Sequence, residues 1–347
     1  MRIRVSRLAL VGLVATLVAS ACGGGAAPVT SATPSTAASA AATELPGVKT
    51  FSQSGGDRQL SYIPTLMAAE ALKSKGYTIS QPVVKDVSLG IDGLTRGEFQ
   101  FGYGAVNAYM LAIQKGAPIK IIAEAVKNEW QFYAASSITS CAQLNGKKMG
   151  ISSAGGVSTA LVKAWIQKEC PGTTPQYLVI SNSADRLAAL LNGQLDASPI
   201  QIQDGIVLQS QGGTRFKKLV DFADSLPDIM TTALVVNSDW AAKNPGSVQA
   251  YLRAILEAHR AIAADPNLLK QQVDHFVSTK DMAAGFEPAV IDAYRLKWNP
   301  NGGITEQSFQ GTIDFFTGTG AIEKGLTTSQ ALDLSYLNAV IKQIGTK

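Results

Sequence analysis

The densest group of chemistry-bearing residues in the chain is Ser152-Ser153-Ala154-Gly155-Gly156-Val157-Ser158-Thr159. It offers four hydroxyls and two glycines at the expected start of a helix, with no acid among them. That is what an oxyanion cradle needs: free N–H groups and hydroxyl donors at the positive end of a helix. Ser153, Gly155, Gly156, Ser158 and Thr159 are the expected contacts, and helix capping alone is the alternative. No Gly-Lys-Ser/Thr follows, so this is not a nucleotide phosphate loop. A second loop, Ser54-Gly55-Gly56-Asp57, combines glycines that permit close backbone approach with an acid that offsets the field of the following helix. It suits an amine or ring N–H as well as an anion; a plain turn is its other reading. In Gly102-Tyr103-Gly104-Ala105-Val106-Asn107, Tyr103 supplies a ring face and a hydroxyl, and Asn107 both donates and accepts. Ordinary wall packing is the alternative for Tyr103. Asn182 stands before a helix as a ligand contact or a cap. Gln201, or Asp204 beyond it, follows Ser198-Pro199-Ile200 at a strand end. Trp130, Phe132 and Tyr133 form an aromatic cluster suited to stacking a planar ligand or to filling a core.

Catalysis finds little support. The chain has two histidines, His259 and His275, and three cysteines, too few for an evident metal site or nucleophilic triad. Asp185, Asp196 and Asp204 have no fixed separation and no companion base, so they do not read as an acid–base pair. We expect no catalytic residues, no cofactor and no metal. Thirty basic residues face 26 acidic ones, and Arg2, Arg4 and Arg7 fall within the first 21, leaving a net +1 beyond them. No Lys/Arg-rich run with interleaved aromatics is present, which argues against nucleic acid as a partner.

The elements that must position these loops follow from hydrophobic pattern. At 347 residues and 46% hydrophobic content, the chain is long enough for two or three lobes with a sizeable core. Short apolar runs expected as strands (Val48–Phe51, Thr78–Val84, Phe99–Gly102, Ile119–Ala125) alternate with helical patterns near 61–75, 89–96 and 106–115. A second unit begins near Ala135, with strands at 148–152, 176–180, 197–200 and 217–220 separated by helices. Thr232–Asn237 reads as a return strand, and helices follow from Ser247 to Ile344, the last over 329–344. Such alternation predicts two mainly parallel sheets covered on both faces. The expected divisions are 45–134 and 232–347 for the first lobe and 135–231 for the second. Two chain crossings, near 132–136 and 230–234, would form a two-strand hinge.

The N-terminus reads as an export signal. Met1–Arg7 is basic, Leu8–Val18 is apolar but shorter than the roughly 20 residues of a spanning helix, and Ala19-Ser20-Ala21 is small. The placement of Cys22 resembles the lipobox of bacterial lipoproteins, which implies residues 1–21 as signal peptide and Cys22 as the lipidated first residue. An ordinary signal with an incidental cysteine is the other reading. A Gly/Ala/Ser/Thr/Pro tract over about 23–43 reads as a flexible tether, closing a segment of 22–44. Export to an oxidising compartment makes Cys141 and Cys170, 29 residues apart, a candidate disulfide; two buried thiols are the alternative.

Several segments together carry a family resemblance. Arg96-Gly97-Glu98-Phe99-Gln100-Phe101-Gly102 resembles the "sGevDfg" of type II extracytoplasmic solute-binding proteins. Lys115-Gly116-Ala117-Pro118-Ile119-Lys120 resembles their "kGaPvk", and Gln143–Ile151 their "dLkGKkiGv". Ser152–Thr159 resembles their Gly/Ser-rich turn, Arg186–Ala197 their "ralaaLlsGqvDAa", and Ile313–Phe316 their closing helical segment. In order these cover about residues 46–340, and the most similar branch binds nitrate, sulfonates, taurine and pyrimidine precursors of thiamine. Gln100 departs from the usual Asp. The resemblance implies a bilobal α/β Venus-flytrap fold and a monomeric, lipid-anchored extracytoplasmic receptor. It would deliver a small organic solute or oxyanion to an ABC import permease by hinge closure. The alternatives are a sensory or protein-binding lipoprotein, and an enzyme of thiamine-precursor synthesis on the same fold. The enzyme is disfavoured because neither histidine lies in the matching N-terminal region.

Overall fold

A computed structural model of the chain describes residues 45–55, 59–84, 87–277 and 287–347. The expected signal peptide, Cys22, the tether, Gly56 and Asp57 lie outside the described residues. Ten strands are found among them: β1 Thr50–Ser54, β2 Thr78–Ser80, β3 Phe101–Ala105, β4 Ile119–Val126, β5 Trp130–Ala135, β6 Lys148–Ile151, β7 Gln176–Val179, β8 Ala197–Gln201, β9 Phe216–Asp221 and β10 Thr232–Asn237. They form two five-stranded sheets, ordered β2-β1-β3-β10-β4 and β7-β6-β8-β5-β9.

Both sheets are mainly parallel, as expected, with four of five strands running one way and one strand in each reversed. In the first, β1 runs parallel to β2 and β3, but β10 is antiparallel to β3 and β4. In the second, β6 runs parallel to β7 and β8, whereas β5 is antiparallel to β8 and β9. The antiparallel member is in each case the strand next to a chain crossing, where direction is set by the path between sheets and leaves no mark in the pattern of side chains. The first crossing is also earlier than expected. Trp130–Ala135 is a strand of the second sheet, so only residues 127–129 separate β4 from β5. The return path is longer: a short helix, Phe222–Ser225, and residues 226–231 separate β9 from β10. β1 reaches Ser54, three residues past its expected end, and the final expected helix is broken into Thr328–Ala331 and Ser335–Ile344. Between its halves Leu332 makes a bridge to Ile121 on β4.

Why these segments fold as they do is clearest on β4 and β10. β4 is apolar at six of its eight residues and β10 at four of its six, as befits strands covered on two faces. Phe101, Ile122, Leu234, Val236 and Tyr251 form one buried cluster on the first sheet. A second cluster runs continuously from Val106, Met110 and Val235 to Phe132, Met149 and Ile151 on the second sheet. Cys141 and Cys170 are joined by a disulfide, with their Cα atoms 5.8 Å apart. It ties the turn before β6 to the end of the helix Val157–Glu169. No described helix is long and apolar enough to cross a membrane.

Candidate ligand-binding cleft

The loops named from sequence emerge from β1, β3, β6 and β8, at the strand ends where open α/β sheets take ligands. Between them lies a cavity of about 190 Å³. The first sheet supplies Tyr103, Gly104 and Ala105 from the end of β3, Thr231 and Thr232 from the start of β10, and Gln59, Ser61 and Tyr62 from the turn after β1. The second supplies Glu129, Trp130, Val157 and Gln201. A neighbouring cavity of about 170 Å³ shares Tyr103, Gly104 and Ala105 and extends to Ser54 and Gly55.

Tyr103 donates its hydroxyl hydrogen to Ser61 O at 2.9 Å and packs edge-on against Tyr62, with ring centroids 4.5 Å apart. Gln53 donates to the Tyr62 hydroxyl at 3.1 Å, and that hydroxyl donates to Ser54 O. Gly55 is required for this arrangement, because a Cβ there would overlap the Tyr62 hydroxyl. The first wall is thus two aromatic rings fixed by backbone carbonyls. Burial raises the pKa of both phenols, which stay neutral hydrogen-bonding groups.

Glu129 dominates the opposite corner. It is 3% exposed, accepts from Gln201 Nε2 at 2.8 Å and from the Tyr294 hydroxyl at 2.5 Å. Burial raises its carboxyl pKa, opposed by those two hydrogen bonds and by the charge of Lys297. Trp130 follows directly, its N–H held by Asn128 Oδ1. Arg186, fully buried, has its guanidinium carbon 5.7 Å from the Trp130 ring centroid, a cation–π contact that fixes the ring. Its Nε donates to Pro199 O at 3.0 Å, and Nη1 donates to Ile180 O and Ser181 O at 2.8 and 2.9 Å, while Nη2 is buried without a partner. Burial pulls the Arg186 pKa down to about 10 and pushes the carboxyl of nearby Asp204 up to about 6, each partly offset by the other's charge.

The sequence-derived candidates separate into groups. Tyr103, Trp130 and Gln201 line the first cavity, and Ser54 and Gly55 the second. Asn107 reaches across instead, donating Nδ2 to Gly155 O at 2.5 Å and so joining the helix after β3 to the cradle loop. Its Oδ1 is buried without a partner. Within the cradle, the Ser158 hydroxyl is 3.2 Å from that of Ser152, and Thr159 Oγ1 is buried and unpartnered. Ser153 and Gly155 are exposed and Gly156 half-buried. Of this loop and helix start only Val157 lines either cavity. Asn182 is exposed and accepts from Ala184 N at 3.1 Å, as a helix cap does, and lines neither cavity. Sequence reasoning missed Glu129, Tyr62 and Thr231. Nothing local marks them; only the pairing of β5 with β8 brings Glu129 to Gln201.

This architecture has known counterparts. Residues 72–268 match the family model described as NMT1/THI5 like. The chain belongs to the NMT1/THI5-like family. No curated protein is a significant sequence match. Among solved structures, the periplasmic nitrate-binding protein NrtA from Synechocystis PCC 6803 is 14% identical, with 86% of this chain covering 90% of that one at a TM-score of 0.69. The periplasmic aliphatic sulphonate-binding protein SsuA from Escherichia coli is 17% identical, with 83% and 92% coverage and a TM-score of 0.65. The ligand-binding component of an ABC-type import system from Staphylococcus aureus, solved with zinc bound, is 14% identical, with 84% and 98% coverage and a TM-score of 0.69. The NMT1/THI5-like chain therefore has the bilobal α/β periplasmic-binding fold expected of it.

Proposed function

We propose that this NMT1/THI5-like chain is a lipid-anchored extracytoplasmic receptor, tethered through Cys22, that delivers a small solute to an ABC import permease and transforms nothing. Its solute is a planar, N–H-bearing heterocycle of pyrimidine type. The observation that carries this choice is the lining of the cleft: rings from Tyr62, Tyr103 and Trp130 surround a buried carboxyl, Glu129, and among the described residues no Lys or Arg lines the cavity. Arg186 lies just behind Trp130, but three of its hydrogen bonds go to backbone carbonyls. An oxyanion would meet an acceptor-only group when Glu129 is ionised, whereas ring N–H or amino donors are complementary to it. Aromatic faces add stacking. Ligand would be held between both sheets, with the Asn107–Gly155 hydrogen bond as a latch of the closed form.

A second reading, an oxyanion such as a sulfonate held on the cradle, draws on the unpartnered Thr159 Oγ1 at the start of a helix that has no side-chain cap. A thermal-shift screen of pyrimidines, sulfonates, nitrate and taurine separates the two. A ligand at 100 times its Kd adds about 2.7 kcal/mol of stability. A shift with pyrimidines alone, unaffected by the double change Ser153→Ala, Ser158→Ala, and with the compound recovered intact, is the expected result. A shift with sulfonates that this double change abolishes supports the second reading. Consumption of the compound would make the chain an enzyme.

A further inference from the structure

The largest cavity described lies away from this cleft, beside the chain crossings. It measures about 420 Å³, within the range of small-molecule sites. β4 lines it with Glu124, the first crossing with Lys127 and Asn128, the second with Pro227 and Asp228, and the C-terminal segment with Lys297. Glu124 is the unusual member. It is 8% exposed, yet no donor among the described residues reaches its carboxyl; Lys127 acts on it only through charge. Its oxygens are not among the fully buried unpartnered side-chain atoms, so the carboxyl opens onto the cavity, where a donor on a bound molecule can reach it.

The backbone is arranged around that carboxyl. Glu124 N donates to Gly302 O at 2.9 Å, which sets the loop over it. Gly303 has φ of +67°, and a Cβ there would collide with Glu124 Oε2. The pairing of β4 with β10 shifts register twice, between Thr232 and Ala233 and between Leu234 and Val235, on either side of the Glu124 contact. Bulges of this kind re-aim side chains and are frequent beside binding sites.

The remaining charges define the complement. Lys297 donates to Asn128 O at 3.1 Å and keeps further donor capacity. The lining thus presents two carboxyl groups, Glu124 and Asp228, and two ammonium groups, Lys127 and Lys297. Lys127 and Asp228 are exposed, and Lys297 also feels the charges of Asp221, Glu129 and Asp224, so the cavity offers groups of both signs to one bound molecule. We infer that this rear cavity is a second binding site, for a small zwitterion of the amino-acid type, its ammonium on Glu124 and its carboxylate on Lys127 and Lys297. Because both crossings line the cavity, its occupancy also biases any motion between the sheets. That coupling rests on the receptor reading above; the binding itself does not.

The test is titration calorimetry on the whole chain with γ-aminobutyrate as probe, and butylamine and butyrate as its single-charge halves. The expected result is one site, filled by the zwitterion at least about tenfold more tightly than by either half. Glu124→Gln is expected to weaken it by about tenfold or more, as is Gly303→Ala, which fills the space above the carboxyl. Burial pushes Glu124 up to about 8, so binding tightens from pH 6 to pH 8 as the carboxylate forms. No saturable binding, equal binding of the halves, or indifference to Glu124→Gln in a folded variant overturns the inference. Loss with Trp130→Ala but not with Glu124→Gln places the probe in the front cleft and also overturns it. A chain that binds the probe at the rear yet answers to no pyrimidine or oxyanion would leave this site standing and remove the receptor reading.

Discussion

Glu124 near the end of β4 and Glu129 in the first chain crossing are both nearly without exposure, and the protein provides for them in opposite ways. Glu129, facing the front cleft, is held by Gln201 and Tyr294. Glu124, facing the rear cavity, has no donor among the described residues. Burial raises both carboxyl pKa values, but only at Glu129 do hydrogen bonds work against the rise. The contrast shows that a buried acid is not by itself a sign of one kind of site. At the front the carboxyl is part of a fixed wall; at the rear it opens onto a cavity with no protein donor among the described residues.

The comparison is open to four tests. The largest effect is expected from Glu124→Gln. Glu124 has a folded-state pKa near 8, well above its unfolded value near 4.5, so the unfolded chain loses the proton first. Its contribution is intact below about pH 4.5 and is lost as pH rises toward 8. The stability of Glu124→Gln relative to the native chain should therefore grow by about 2–4 kcal/mol between pH 5 and pH 8, measured by urea denaturation. A pH-independent gap would mean that Lys127, Lys297 or water already satisfies the carboxylate.

Tyr294→Phe should act in the other direction. Removing a donor from a buried carboxyl costs about 1.5–3 kcal/mol. The loss should be greater at pH 8 than at pH 5, since the Glu129 pKa would rise further from its unfolded value. Equal behaviour of the two variants would erase the distinction drawn between the two acids. Next in size, Trp130→Ala should weaken the front ligand about 10- to 30-fold, or about 1.4–2 kcal/mol, by calorimetry, with little effect at the rear. Smallest is Asn107→Ala, which removes one cross-cleft hydrogen bond worth about 0.5–1.5 kcal/mol. It should quicken release of the front ligand about 2- to 10-fold in stopped-flow measurements while leaving affinity for the rear probe unchanged.

How much of this is legible in residues alone depends on the distance over which the signal acts. The strand–helix alternation from β1 to β9 is local, and it placed β6, β7, β8 and β10 within about a residue of where they are found. The bilobal fold followed from the order of six short segments. β5 was missed because Trp130-Gln131-Phe132-Tyr133 reads as an aromatic cluster; its strand character comes from pairing with β8 and β9. The one reversed strand in each mainly parallel sheet was hidden for the same reason. In the candidate site, Tyr103 and Trp130 were legible by residue type. Glu129 was not, because its role depends on Gln201 and Tyr294, 72 and 165 residues away. Asn182 carried two readings in the sequence, ligand contact or cap, and the structure shows the cap.

The interleaved order of the first sheet also constrains the history of each molecule. In that sheet β4 has, among the described residues, β10 as its only strand neighbour, and β10 arrives more than a hundred residues later. The second sheet draws all its strands from the uninterrupted stretch Trp130–Asp221. As the chain emerges from a ribosome or a translocation channel, the second lobe can close on itself while β4 still waits as an open edge. Loop-closure entropy and contact separation both place completion of the first sheet last. Until then its apolar strand, Ile119–Val126, is the surface most in need of protection from other chains.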